Sequence, residues 1–284
     1  MQRALQRRIE TPGFELRLLK RNLFALFGIM LFIVVLAGCS NSKKEVASQP
    51  AATTESQPAA ERTPKYTVQE LPGGTVRGQV VLQGNPPPAQ KVAVNQDPAV
   101  CGSQRETHPV QIEKGGIVDT VVSIEDIKHG KAFAFPAPLL EQKHCTYVPH
   151  IVLMQPGELR IESSDPVPHN VHTYAQNNRE YNETMNQLRR TISLSFPRPD
   201  RISVRCDLHG WMQAFVIVAE NPYYSVTTAG GNFTLEGVPA GHYRLKVWHP
   251  TLGEAEQQID VDAGKVTNAR FSLATKSAPA GGGD

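Results

Sequence analysis

The alternation of apolar and polar residues predicts short β-strands along most of the chain after residue 72. Thr75–Leu82 alternates and runs into Gly84-Asn85-Pro86-Pro87-Pro88, which is typical of a strand followed by a turn. Similar apolar segments, separated by clusters of Gly, Pro and Asn, recur as far as residue 273. Their spacing is typical of β-sandwiches, so the sequence predicts an all-β protein.

Individual strands can be located from the same alternation. Val92–Val94 is predicted to pair with the first strand, and Gln176–Arg190 is too rich in Asn for a core element, so it is predicted as a loop or a short exposed helix. The other predicted strands are Val110–Glu113, Val118–Ile124, Tyr147–Met154, Glu158–Ser163, His169–Tyr174, Thr191–Phe196, Ile202–Cys206, Ala214–Ala219, Ile259–Val261 and Ala269–Leu273. Ser225–Leu235 is predicted as a strand, a Gly turn and a second strand, and Val238–Trp248 adds a third strand with Ala-Gly as the tight turn.

Length and charge limit the classes of function. A chain of 284 residues is long enough for two domains. The formal net charge is +2, and the excess of Lys and Arg lies in the first 38 residues, so no nucleic-acid partner is expected. The sequence contains no G-x-S-x-G, H-E-x-x-H, P-loop or dinucleotide-binding motif, and no enzyme activity is predicted.

The N-terminus has the features of an export signal. Lys20-Arg21 precedes an apolar run, Leu23–Ala37, and the segment Leu36-Ala37-Gly38-Cys39 resembles a bacterial lipobox. The resemblance assigns residues 1–39 to a signal peptide and lipobox, and implies cleavage before Cys39 and lipidation of Cys39. The result is a lipoprotein that faces the periplasm, with Ser40 favouring the outer membrane. An uncleaved membrane-spanning helix is the alternative. Residues 40–72 and 275–284 are polar and predicted to be a disordered linker and tail.

A short segment carries the most specific chemistry in the chain. Cys206-Asp207-Leu208-His209-Gly210-Trp211-Met212 places a thiolate, an imidazole and a thioether in the spacing C-x2-H-x2-M, between two predicted strands. With one more imidazole, these donors make a blue-copper site. Pro168-His169-Asn170-Val171-His172, at the start of an earlier strand, supplies that imidazole.

Together the two motifs resemble the cupredoxins, the amicyanin- and plastocyanin-like blue copper proteins, over about residues 105–220. The resemblance implies a Greek-key β-sandwich and one type 1 copper, with ligands His169, Cys206, His209 and Met212. It also implies that Asn170 ties the ligand strand to the Cys206 loop and that His209 reaches the surface as the exit for electrons. The expected partners are periplasmic redox proteins such as cytochromes or a dehydrogenase.

A second resemblance covers residues 222–274. Thr227-Thr-Ala-Gly-Gly-Asn-Phe-Thr-Leu235 and Val238-Pro-Ala-Gly-His-Tyr-Arg-Leu245 are similar to the carboxypeptidase regulatory-like domain, a small transthyretin-like β-sandwich. The usual opening strand of that domain lies upstream, from Gly78 to Val94. The sequence therefore predicts a discontinuous sandwich, residues 74–95 plus 222–274, with the cupredoxin inserted as residues 100–220. Two tandem domains are the alternative.

The remaining Cys and His residues have competing assignments. With Cys39 assigned to lipid and Cys206 to copper, Cys101 and Cys145 remain; an oxidising compartment favours a disulfide between them, and a second soft-metal site at Cys145 and His150 is the alternative. His172 is predicted to be structural because strand residues an odd number apart face opposite sides. His150 and Met154, on one face of a strand, are interpreted as core residues, and His242 and His249 as exposed turn residues.

Two other functions stay open at this point. Extra His and Met residues at 150, 154 and 172 are compatible with copper binding and delivery, and the second sandwich is compatible with an adhesion or scaffold module. The four-ligand set favours a carrier of single electrons, because it leaves no open metal position for a substrate.

Overall fold

A computed structural model describes residues 66–275 of the chain. The predicted signal peptide, lipidated Cys39, the linker as far as residue 65 and the tail from residue 276 lie outside the described residues. Within residues 66–275, no helix is long and apolar enough to cross a membrane.

The described chain is almost entirely β-structure, which confirms the predicted all-β class. The helical elements are α1 (Pro98–Cys101) and a 3-10 turn at Ala229–Gly231. The strands in chain order are β1 (Thr67–Val68), β2 (Gly73–Gln83), β3 (Gln90–Ala93), β4 (Gln104–Thr107), β5 (Ile112–Glu113), β6 (Gly116–Ile117), β7 (Val121–Ile124), β8 (His129–Gly130), β9 (Leu139–Gln142), β10 (Tyr147–Val148), β11 (Ile151–Met154), β12 (Gly157–Ser163), β13 (His169–Tyr174), β14 (Asn182–Met185), β15 (Thr191–Phe196), β16 (Asp200–Arg205), β17 (Gln213–Val218), β18 (Tyr224–Val226), β19 (Asn232–Pro239), β20 (Gly241–His249), β21 (Gly253–Val261) and β22 (Val266–Ala274).

The first sandwich is built from two sheets, with strand orders β10-β9-β12-β15 and β11-β17-β16-β13-β14. Alternation determines which face of each strand enters the core. In β16, Ile202 and Val204 are fully buried, whereas Arg201 and Arg205 on the other face are exposed. This sandwich carries both of the motifs that predict a metal site.

The second sandwich consists of two sheets that face each other, with strand orders β18-β7-β20-β21 and β19-β2-β22. Its separate core includes Val76, Val80, Ile117, Leu245 and Phe271. The upstream strand β2 pairs with both β19 and β22, which come from the C-terminal part of the chain. The upstream strand that the sequence predicts for this sandwich is therefore present in it.

Two strand placements differ from the sequence prediction. Strand β7, assigned by sequence to the inserted domain of residues 100–220, pairs with β18 and β20 of the second sandwich. It is buried at all four positions because it lies where the sandwiches meet: Val122 and Ile124 enter the second core, and Val121 contacts the first sandwich. Strand β3 pairs with β4 instead of with β2, because both edges of β2 are already paired.

An apolar cluster joins the two sandwiches. Ile151 and Ile217 of the first sandwich are buried against Val121 of the second. Phe215 lies edge-on to Trp248, with ring centroids 5.3 Å apart. Burial of these side chains stabilises the contact, since apolar surface removed from water contributes about 25 cal/mol per Å².

Two polar segments are more ordered than the sequence predicts. Asn182–Met185, inside the predicted loop, forms β14 and pairs with β13, because the side chain of Met185 is fully buried in the first core. The end of the predicted linker also pairs: β1 lies parallel to β8, and the Tyr66 hydroxyl donates to the carbonyl of Lys131. The Asn content of the first segment and the polar composition of the linker do not indicate that Met185 and Tyr66 attach these segments to the folded domains.

His249, predicted to be exposed, is also buried, with 2% of its surface accessible. Its Nδ1 accepts hydrogen bonds from the backbone N–H groups of Thr251 and Leu252, at 3.1 and 3.3 Å. Burial and, to a smaller extent, His150 lower the pKa of His249 to about 4, against an opposing effect of Asp119. The folded protein therefore holds this imidazole neutral.

This burial predicts a pH dependence of stability. The unfolded chain takes up the proton near pH 6.5 and the folded chain near pH 4, so the free energy of unfolding should fall as the pH drops between these values. The loss from this group is about 3 kcal/mol at most. His249→Asn keeps an acceptor and removes the titration, so denaturant unfolding should show a smaller loss in the variant. Parallel curves for the two proteins would contradict the prediction.

Candidate metal centre

Neighbouring strands of one sheet bring the two motifs together. His169 is the first residue of β13, and Cys206 follows the last residue of β16; these two strands are paired. The segment from Cys206 to Met212, here called the ligand loop, joins β16 to β17. Its two ends are fixed because Arg205 and Gln213 are direct partners in the sheet. The loop is closed further by hydrogen bonds from the Cys206 N–H to the Met212 carbonyl and from the Met212 N–H to the His209 carbonyl.

Three donor atoms converge at this end of the sandwich. The Cys206 Sγ lies 3.7 Å from Nδ1 of His209 and 3.9 Å from Nδ1 of His169, and the two Nδ1 atoms are 2.9 Å apart. The two imidazoles are fully buried and Cys206 is 2% exposed. For one ion bound to sulfur at about 2.3 Å and nitrogen at about 2.0 Å, a sulfur–nitrogen separation of roughly 3.5–3.8 Å is expected. The arrangement therefore fits a single metal ion.

Each histidine turns its other nitrogen toward a carboxylate. The Nε2 of His169 is 2.9 Å from Oδ2 of Asp165, and the Nε2 of His209 is 3.2 Å from Oδ2 of Asp97. An ionised carboxylate only accepts hydrogen bonds, so both Nε2 atoms carry the proton. This leaves a lone pair on each Nδ1, in the orientation that second-shell carboxylates give to metal-binding histidines.

The donor set is electrostatically incomplete without a cation. Two Nδ1 lone pairs at 2.9 Å face each other and the Cys206 sulfur, in a pocket from which solvent is excluded. Burial lowers the pKa of His169, against the hydrogen bond to Asp165, and so disfavours a second proton on that ring. A bound metal cation satisfies all three donors at once, which is the chemical reason to interpret the cluster as a metal centre.

Cys206 is the donor that must lose a proton. Burial raises the pKa of its thiol, while hydrogen bonds from the backbone N–H groups of Asn170, His209 and Leu208 lower it. Those N–H groups are already oriented toward the sulfur and stabilise the thiolate once it forms. Metal binding at this cluster is therefore coupled to release of the thiol proton.

Asn170 connects the ligand strand to the ligand loop, as the sequence predicts. Its Oδ1 accepts from the backbone N–H of Asp207 at 2.6 Å. Its Nδ2 donates to the Asp207 carboxylate at 2.8 Å and to Oδ1 of Asn182 at 2.7 Å. These bonds hold the start of the loop against β13, next to the two donor residues His169 and Cys206.

The other candidate ligands lie in different environments. Met212 is 1% exposed and belongs to the same core as Cys206. His172 is partly exposed and contacts Asp207, with Nδ1 3.0 Å from a carboxylate oxygen. His150, interpreted from the sequence as a core residue, is instead partly exposed and contacts Asp119 at 3.1 Å, whereas Met154 is buried in the core. Among the described residues, both groups with metal-binding geometry include His169 and neither includes His150 or His172.

Cys101 and Cys145 form a disulfide, which accounts for the cysteines in the described part of the chain other than Cys206. The bridge lies beside the centre: the backbone N–H of Cys145 donates to the same Asp165 oxygen that contacts His169. The Cys145 carbonyl accepts from Nε1 of Trp211 at 2.9 Å, so Trp211 is a packed aromatic residue.

His209 does not reach the surface, contrary to the sequence expectation. Its side chain is 0% exposed. Asp97 covers its Nε2 edge, and the Trp211 ring lies beside it, with centroids 5.2 Å apart. The covering residue comes from the segment between β3 and β4, which precedes the residues, about 105–220, that the cupredoxin resemblance covers.

The sequence reasoning missed both carboxylates. Asp165 lies only four residues before His169, in a Ser-Ser-Asp-Pro turn, and this proximity in sequence could have indicated a contact between the two side chains. Asp97 lies 112 residues before His209. Asp97-Pro98 indicates only a turn or a helix start, so nothing local to it indicates a contact with the metal centre.

Comparison with known proteins finds the predicted C-terminal domain. The model of the family described as carboxypeptidase regulatory-like domain matches residues 212–274. The match confirms the resemblance and begins earlier than residue 222, within the ligand loop and β17 of the first sandwich. A search of curated proteins finds no match.

Solved copper proteins are similar to about a third of the chain. An oxidised point mutant of amicyanin is 22% identical over 30% of this chain and 84% of its own, with a TM-score of 0.27. A purple cupredoxin from Nitrosopumilus maritimus is 17% identical over 29% of this chain and 99% of its own, with a TM-score of 0.25. The Cu-containing nitrite reductase from Thermus scotoductus SA-01 is 12% identical over 31% of this chain, at a TM-score of 0.27, and the chain spans only 23% of its length.

The contacts of Asn170 predict that it stabilises the fold around the centre even without metal. Asn170→Ala removes the acceptor of the Asp207 N–H and should lower the free energy of unfolding by about 1–2 kcal/mol, measured by denaturant titration of the metal-free protein. Asn182→Ala is the matched control, because it removes side-chain contacts to the same carboxylate but leaves that backbone bond intact. Equal effects of the two substitutions would show that the backbone bond to Asn170 has no special role.

Proposed function

We propose that the chain is an exported, lipid-anchored type 1 copper protein that carries single electrons between periplasmic redox partners. The observation that carries the proposal is the convergence of the His169 and His209 Nδ1 atoms and the Cys206 Sγ within 3.9 Å of one another in a buried pocket. Met212, which closes the loop from within the same core, is the proposed weak axial ligand.

The donor types favour copper over other metals. A thiolate and a thioether are soft ligands that suit Cu(I), whereas imidazole also suits Cu(II). Copper bound there would supply a one-electron Cu(II)/Cu(I) couple. The sheet pairing at both ends of the ligand loop holds Cys206, His209 and Met212, and the pairing of β13 holds His169, so little rearrangement accompanies electron transfer.

Transfer of electrons, and not conversion of a substrate, is the activity that this arrangement favours. All four proposed ligands belong to the protein, and His169, Cys206, His209 and Met212 are each 2% exposed or less. No position is left for a substrate in a set of this kind. Because Asp97 and Trp211 cover the His209 imidazole, an electron that leaves through this ring has to pass one of these side chains.

The location of the protein is the second part of the proposal. The signal and lipobox at Cys39 support export and anchoring, and the disulfide between Cys101 and Cys145 suits an oxidising compartment. Cytochromes or a dehydrogenase of the periplasm are the proposed partners, since they exchange single electrons with small carriers.

Copper loading tests the proposal directly. With one equivalent of Cu(II), the purified protein should show an intense thiolate-to-copper absorption band and bind one copper per chain, and the centre should be reduced reversibly by one electron. Cys206→Ser should abolish the band and the bound copper. His172→Asn, which alters an imidazole on the same strand outside the cluster, should leave both unchanged.

The same experiment separates the competing functions. A wild-type protein that binds copper without the absorption band contradicts the type 1 centre. More than one copper per chain, or copper retained by Cys206→Ser, supports copper binding and delivery instead. An adhesion or scaffold role predicts that cells carrying His169→Ala and Cys206→Ser together behave like the wild type.

A further inference from the structure

The segment from Gln90 to Thr107, here called the cap, lies over the His209 edge of the metal centre. It consists of β3, α1 and β4, and its two strands pair only with each other in the sheets of residues 66–275. The disulfide from Cys101 to Cys145 attaches it to the first sandwich. Arg105 adds hydrogen bonds to the carbonyl of His144 at 3.0 Å and the hydroxyl of Thr146 at 2.6 Å.

The cap places Asp97 by its own backbone geometry. Asp97 has φ 52°, a left-handed conformation that is uncommon for a residue with a side chain. Its carbonyl accepts from the N–H groups of Val100 and Cys101 at 3.0 and 2.9 Å, so the turn is tied directly to the disulfide. The Asp97 carboxylate then lies 3.2 Å from Nε2 of His209, with 23% of its side chain exposed.

Asp97 does for His209 what Asp165 does for His169, but from a different part of the fold. Asp165 is 5% exposed, and backbone N–H groups of His144 and Cys145 fix its two oxygens at 2.7 and 2.8 Å. It belongs to the turn just before the strand that carries His169. Asp97 reaches its histidine only because the cap folds over the ligand loop. The two carboxylates therefore reach the centre from separate parts of the fold.

We propose that Asp97 is a positioning residue of the metal centre: it fixes the Nε2-protonated form of His209 and, through its negative charge, favours Cu(II) over Cu(I). This inference rests on the proposed copper function. A carboxylate that accepts from the outer nitrogen of a ligand histidine orients the ring and makes it a stronger donor. A stronger donor and a nearby negative charge both stabilise the more highly charged metal ion, so the cap lowers the reduction potential of the centre.

The test compares three variants of the full-length protein. Asp97→Asn keeps an acceptor of the same shape and removes the charge, and Asp97→Ala removes both. Asp260→Asn is the matched control, because it alters an aspartate that contacts another histidine, His242, at an exposed position remote from the cluster. Denaturant unfolding of each variant checks that the fold is retained.

The first readout is the reduction potential. Asp97→Asn should keep the thiolate-to-copper band and lower the ratio of Cu(II) to Cu(I) affinity about tenfold, the lower end of typical second-shell effects. A tenfold change corresponds to about 59 mV for a one-electron couple, in the direction of a higher potential. Asp260→Asn should leave the potential unchanged. A potential of Asp97→Asn equal to that of the wild type overturns the electronic part of the proposal.

The second readout needs no copper. In the metal-free protein, the Nε2 proton of His209 should exchange slowly with solvent, as seen in nitrogen–proton NMR spectra of the imidazoles. Asp97→Ala should make this exchange at least tenfold faster, and Asp97→Asn should leave it slow. An unchanged exchange rate in Asp97→Ala overturns the positioning role. A wild type without the absorption band refutes the copper function separately, since the proton exchange is measured without metal.

Discussion

Two imidazole nitrogens and a thiol sulfur meet in a pocket that excludes water, and the organisation of this end of the molecule follows from that contact. The Nδ1 atoms of His169 and His209 are 2.9 Å apart because each ring turns its protonated Nε2 toward a carboxylate. Lone pairs so close together repel unless a cation lies between them. The two carboxylates therefore do more than accept hydrogen bonds, since they determine which ring atoms face the centre.

The β-sandwich supplies the stiffness that this arrangement needs. The donors come from adjacent strands of one sheet, and the ligand loop is fixed at both ends by the direct pairing of Arg205 with Gln213. Asn170 adds a side-chain connection from the neighbouring strand to the N–H of Asp207. A seven-residue loop held at three points has little freedom to follow a preference of the metal, so the protein determines the geometry.

The sequence predicts the parts of this centre that are local. C-x2-H-x2-M and the Pro168–His172 segment identify the three residues that the structure brings together, because chemistry and strand position coincide within a few residues. The class of fold and the second sandwich were predictable for the same reason, as alternation and turn residues are local properties. His209 was expected at the surface because its burial depends on Asp97, which lies 112 residues earlier and carries no local signal.

The strands whose placement differs from the sequence prediction also depend on contacts between residues that are distant in sequence. Val121–Ile124 has the apolar pattern of a buried strand in either sandwich, and only its pairing with β18 and β20 decides between them. Likewise, Met185 is a fully buried apolar residue in a polar segment, and its burial is visible only when β13 lies beside it. The pattern of apolar and polar residues along the chain does not show which distant segments pair with each other.

The path of the chain gives the second sandwich a physical relation to the metal centre. Strand β2 belongs to the second sandwich, the cap follows it, and Val110 just beyond the cap is buried in the second core again. The cap is therefore held at both ends by the second sandwich and in its middle by the disulfide to the first. The position of Asp97 over His209 depends on all three attachments. A domain that contributes no residue to the His169–Cys206–His209 cluster can thus influence it, because it fixes both ends of the segment that covers it.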